Sequence, residues 1–153
     1  EWGDGAGMRV DGKNFKISNS SFVENKITSN STSDHGGGIY YHSIYGDQDT
    51  LFIENVSFTG NVSPGNGGGA FIHLEKNRGN ASIKNVLFDK NVGGEGSNRV
   101  SALYTDGLST NCFIDVINCT FVNNEGDKTL FLTNASSNSS RRIIFYRCQA
   151  CFS

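Results

Sequence analysis

The sequence predicts an all-β chain wound as a right-handed single-stranded parallel β-helix of about four to five coils. Two observations carry this expectation: a degenerate repeat near 30 residues long, and 19 glycines against one proline in 153 residues. Flexible linkers are rich in both residues. Stacked strands place Gly at corners and exclude Pro, which cannot donate to a ladder.

The repeat reads apolar, spacer, Asn, two spacers, Phe, two spacers, Asn. It occurs at Ile17 to Asn25, Ile53 to Asn61, Ile83 to Asn91 and Val116 to Asn124, with a decayed copy from Phe145 in which Arg147 replaces the first Asn and Ala150 the Phe. Stacked at the interstrand spacing of ~4.8 Å, these copies form columns. Ile17, Ile53, Ile83 and Val116 make an aliphatic one, and Phe22, Phe58, Phe88 and Phe121 an aromatic one. The Asn columns are expected to form amide ladders that satisfy polar groups at the bends.

A second repeat lies between those copies. Gly36 to His42 recurs as Gly67 to His73, with weaker echoes at Ser101 to Thr105 and Thr129 to Thr133. Each echo is short, β-branched or aromatic, and bounded by Gly, Asn or Asp, as strands are. The chain is expected to be one domain, 1–153, with coils near 10–38, 39–66, 67–100, 101–128 and 129–153. Aligning the echoes gives three columns: Ile39, Ala70, Ala102, Leu130; then Tyr40, Phe71, Leu103, Phe131; then Tyr41, Ile72, Tyr104, Leu132. All three are apolar although strand side chains alternate faces. One face therefore needs a cover, and Tyr40, Phe71, Leu103 and Phe131 are the candidate interface, with the 25–36 loop as the alternative cover.

The Phe-x-x-Asn copies together with the Gly-Gly-Ala and Gly-Gly-Ile runs resemble the repeats of chlamydial polymorphic outer-membrane proteins and similar pectate-lyase-like β-helices. The resemblance extends from about Asn14 onward. It implies a right-handed parallel β-helix and a surface-exposed adhesive or structural role.

Charge and cysteine content narrow the setting. Charged residues are 18 % and the formal net charge is −2, so no electrostatic footprint for nucleic acid or anionic lipid exists. No run approaches the ~20 apolar residues of a membrane span. The chain starts Glu1-Trp2-Gly3 without a signal peptide, which reads as a mature product or an excised segment. Eight Asn-x-Ser/Thr triplets stand against about three expected from composition, which suggests an extracellular or cell-surface glycoprotein. The sites expected in loops are Asn30, Asn80, Asn134 and Asn138; Asn19, Asn55, Asn61 and Asn118 fall on ladder positions and are expected to be poorer acceptors. Cys112, Cys119, Cys148 and Cys151 suit disulfides, with Cys119 and Cys148 stacked in adjacent coils, or Cys148 bridging to Cys151.

Catalytic chemistry has little to stand on. Asp34, Asp47, Asp49, Asp106 and Asp115 form no stacked carboxylate pair on the repeat register, so no enzyme, cofactor or metal is expected, and a polysaccharide-processing role ranks last. His42 and His73 stack, but their column continues as Thr105 and Thr133, which supply no good third ligand. The expected function is an extracellular structural or surface glycoprotein, a fibre subunit associating end to end, because no capping helix precedes Val10 or follows Phe145. The alternative is an adhesive or carbohydrate-binding module with glycan partners.

Overall fold

The computed structural model describes residues 3–43, 49–74, 79–94, 99–106, 113–132 and 142–151. Among these there is no helix, and strands from successive coils pair in parallel as a β-solenoid. The first sheet stacks β1 (Met8–Gly12), β3 (Ile39–Ser43), β5 (Ala70–Leu74), β7 (Val100–Asp106) and β10 (Lys128–Leu132). The second stacks β2 (Phe15–Val23), β4 (Thr50–Thr59), β6 (Asn80–Asp89), β8 (Phe113–Ile117) and β11 (Arg142–Tyr146), with β9 (Thr120–Val122) beside β6 and β12 (Gln149–Cys151) beside β9. A third side is closed by single bridges from Lys26 to Val62 to Val92 to Glu125. All three sides are joined for about three turns, slightly fewer than the four to five coils expected, because the bridges stop at Glu125.

The corners explain why Asn dominates. Asn19, Asn55, Asn85 and Asn118 bend the second sheet with φ of 50–55°, a left-handed conformation that Asn tolerates better than most residues. Their side chains form a solvent-facing ladder: Asn55 Nδ2 donates to Asn19 Oδ1, Asn85 to Asn55 and Asn118 to Asn85, at 3.0–3.2 Å. A second ladder lies inside, where Asn25 donates to Asn61, Asn61 to Asn91 and Asn91 to Asn124, at 2.9–3.0 Å. Each interior amide from Asn61 onward also donates to the carbonyl of the preceding coil's Phe, at 2.9 Å. The two ladders thus donate in opposite directions along the axis. Gly67 opens the next strand at φ 67°, where a Cβ would strike the Ala70 carbonyl oxygen.

The core follows the Phe-x-x-Asn repeat column for column. Ile17, Ile53, Ile83 and Val116 pair in register, and Phe22, Phe58, Phe88 and Phe121 stack with centroids 4.9–5.1 Å apart. Buried Asp49 finds its partners within this frame. Asp49 accepts from the Asn14 N–H at 2.6 Å and from the Tyr41 hydroxyl at 2.5 Å, and burial pushes that phenol's pKa up.

The first sheet departs from the expected register. Leu103, not Ala102, pairs with Ala70, and Tyr104, not Leu103, pairs with Phe71. β7 carries one extra residue: Lys128 pairs with Val100, but Leu130 already pairs with Leu103. The inward column is therefore Met8, Ile39, Ala70, Leu103 and Leu130, and the outward one is Arg9, Tyr40, Phe71, Tyr104 and Phe131. Leu103 is fully buried in the core and is withdrawn as an interface residue.

Candidate functional site

The outward aromatic column of the first sheet closes on itself. Tyr40, Phe71, Tyr104 and Phe131 stack face to face at 4.9–5.3 Å, so each ring covers the next. His35, from the 25–36 loop, lies 4.5 Å from Phe71, and Arg9 and Lys128 sit over Tyr40 and Phe131. Phe71 is left 4 % exposed and Tyr40 9 %. Tyr40 and Phe71 of the apolar face expected to need a partner are covered by this stacking and by that loop, while Tyr104 and Phe131 stay partly exposed. Burial pushes the His35 pKa down, and its Nδ1 accepts the Asn66 N–H at 2.9 Å, which fixes the neutral tautomer. Burial raises the Tyr104 pKa.

The outer face of the second sheet is open. Phe52 is 45 % exposed at the centre of a column running Lys16, Phe52, Ser82, Asp115. The neighbouring column places Ser18, Glu54 and Lys84 alongside, and Lys16 Nζ lies 3.9 Å from Glu54. Two concavities share Phe52, Ser82 and Lys84: one of about 330 Å³ extending to Asn80, Phe113 and Asp115, and one of about 200 Å³ extending to Lys16 and Glu54. A shallow depression follows at the corner, lined by Asn19, Asn55, Ser57 and Leu87 among others. Two ammonium groups, two carboxylates, hydroxyls and amides thus rim one exposed aromatic ring. Sequence reasoning missed Phe52, since the outward position is Lys, Phe, Ser and Asp in successive coils and carries no repeat signal.

The remaining candidates fall as follows. Asn30 is exposed in its loop. Asn80 is exposed too, but it opens β6 and is not a loop residue. Asn134 and Asn138 lie outside the described residues. Asn19, Asn55 and Asn118 point to solvent at the corner, contrary to the expectation that ladder positions hide them; Asn61 alone of those four is buried, at 0 %. Cys119 and Cys148 do occupy adjacent coils, flanked by Asn118 N to Tyr146 O and Gln149 N to Cys119 O hydrogen bonds, but both are free thiols. Each donates to backbone carbonyls instead: Cys119 to Ile117 and Ile83, Cys148 to Val116 and Tyr146. Burial pushes the Cys119 thiol up to about 12, so it is no nucleophile at neutral pH. Cys112 lies outside the described residues, and Cys151 is placed by its backbone opposite Val122.

The carboxylates stay apart. Asp34 is buried at the first turn, accepting from Gly3 N–H and the Ser29 hydroxyl. Asp49 is buried beside Tyr41, Asp106 ends β7 and Asp115 faces out on β8, while Asp47 lies outside the described residues. No described helix is long and apolar enough to cross a membrane.

No protein-family model, curated protein or solved structure matches the chain. The fold and this face define its class: a parallel β-solenoid that presents one largely self-covered sheet and one open, amphipathic sheet.

Proposed function

We propose that the chain is an extracellular or cell-surface structural glycoprotein whose open sheet serves as an adhesive, saccharide-binding face. The observation that carries this reading is Phe52. A half-exposed ring at the junction of two concavities, rimmed by donors and acceptors of balanced charge, suits the apolar face and hydroxyls of a neutral sugar. The resemblance to chlamydial surface repeats and the exposed sequons Asn30 and Asn80 support the same setting. Glycan-array binding by the chain, lost in Phe52→Ala but kept in Phe71→Leu, is the expected result. Equal binding by Phe52→Ala removes the face from consideration.

A second reading is the end-to-end fibre. Among the described residues β1 and β2 each pair on one side, and their other edge has the backbone donors and acceptors that a further coil of another copy would take. Light scattering separates the two readings: a monodisperse monomer at high concentration excludes the fibre and leaves the adhesive face standing.

A further inference from the structure

We propose that the corner ladder of the second sheet is a column of N-glycan acceptors, with Asn55 and Asn118 its principal sites. The inference rests on the extracellular reading above, and it reverses the expectation that ladder positions hide their amides. Asn55-Val56-Ser57 and Asn118-Cys119-Thr120 are both sequons, and both asparagines are exposed.

A hydrogen count separates them from buried Asn61, which also heads a sequon. An asparagine amide nitrogen carries two hydrogens. Asn61 Nδ2 spends both, donating to Asn91 Oδ1 at 3.0 Å and to the Phe22 carbonyl at 2.9 Å. Asn55 Nδ2 spends one, on Asn19 Oδ1, and Asn118 Nδ2 one, on Asn85 Oδ1, both at 3.2 Å. The ladder also fixes which hydrogen is spent. Asn55 donates toward Asn19 on one side while its oxygen accepts from Asn85 on the other, so the ladder hydrogen lies anti to the carbonyl. A glycosylated side-chain amide is a planar secondary amide, and its favoured trans form keeps that same anti hydrogen. The sugar therefore replaces the hydrogen that the ladder leaves over, and the ladder survives. The transfer balances: C1 of a sugar activated as a lipid diphosphate bonds to Nδ2, its bond to the diphosphate oxygen breaks, and the displaced amide proton goes to the leaving group.

The surroundings leave room for the first sugar. The corner depression, about 510 Å³, runs from Asn55 to Leu87, which is 38 % exposed on the next coil. A sugar's apolar face laid there covers that side chain. Leu87 also stands where Asn85 would need Ser or Thr, so the two sites are two rungs, or roughly 10 Å, apart. Asn19, the third exposed sequon of the column, is one rung from Asn55, where a branched glycan on one crowds the other.

The test is glycopeptide mass spectrometry of the 153-residue protein secreted from eukaryotic cells, with circular dichroism to confirm the fold. Sugar is expected on Asn55 and Asn118, with Asn61 bare. Ser57→Ala should abolish the Asn55 glycopeptide and keep the one at Asn118; should that variant misfold, occupancy in the wild type decides alone. Sugar on Asn30 or Asn80 with Asn55 and Asn118 bare overturns the corner sites and leaves the glycoprotein reading standing. No sugar at any sequon overturns both, and sugar on Asn61 in folded protein overturns the hydrogen count.

Discussion

The two sheets are wound from the same number of stacked chain passes, yet they tolerate error differently. In the second sheet every inward position from Ile17 to Phe121 keeps strict register, because stacked Phe rings and interior amides both demand it. A slip of one residue would bury the alternate set of side chains and break both ladders. The first sheet has no amide ladder, and its aromatic stack of Tyr40, Phe71, Tyr104 and Phe131 runs along the outer face. It absorbs an extra residue in β7 at Ser101–Ala102, where both residues are buried and the ladder resumes at Leu103. Register is thus held by side chains that interact along the axis, and the extra residue falls before Leu103, where it leaves the Phe71–Tyr104–Phe131 stack intact.

The largest effect tests that slip. Leu103→Asp should cost more than about 3 kcal/mol by burying an unpaired charge, whereas Tyr104→Ser should cost far less; the reverse order in chemical denaturation would restore the unslipped register. Phe88→Ala, in the middle of the interior stack, should lose about 3–5 kcal/mol, and a loss below about 1 would place Phe88 outside a packed column. Asn91→Ala should cost about 1–3 kcal/mol, since it strands the Phe58 carbonyl and the Asn61 N–H. Asn55→Gly keeps the left-handed corner and removes only an exposed amide, so about 0.5 kcal/mol or less is expected; equal losses at the two sites would erase the distinction between the ladders.

The smallest effect is a pH dependence in the first sheet. His35 titrates below its ordinary value of 6.5 in the folded chain, because burial disfavours its charged form. The unfolded chain therefore binds the extra proton first. The contribution is full above pH 6.5 and is lost as the pH falls from there through the folded value. Thermal melts between pH 7.5 and 5.5 should show a decline that His35→Gln flattens.

Much of this was legible in the residues. The Phe and Asn columns were, because a repeat that stacks at one spacing must repeat in sequence wherever contacts run between like side chains. The slip in β7 was not, since Ser101-Ala102-Leu103 fits the strand pattern at either register. That ambiguity placed Leu103 outside and paired His73 with Thr105. The direction of the first Asn column was also hidden: Asn55 and Asn61 look alike in sequence, and only the left-handed bend at Asn55 turns its amide outward. Phe52 left no trace because outward positions in a solenoid are free to vary, and a site built there is unique to one coil.

The opposed amide ladders carry a consequence for how such a molecule changes length. Asn61 and Asn91 each receive from one neighbour and give to the other, and the corner amides Asn55 and Asn85 do the same in reverse. A duplicated coil inserted between Asn61 and Asn91 would find each donor and acceptor already waiting, with no polar group stranded and no net polarity added along the axis. Length is then a quantity the gene can step by one coil at a time, each step adding its own interface energy.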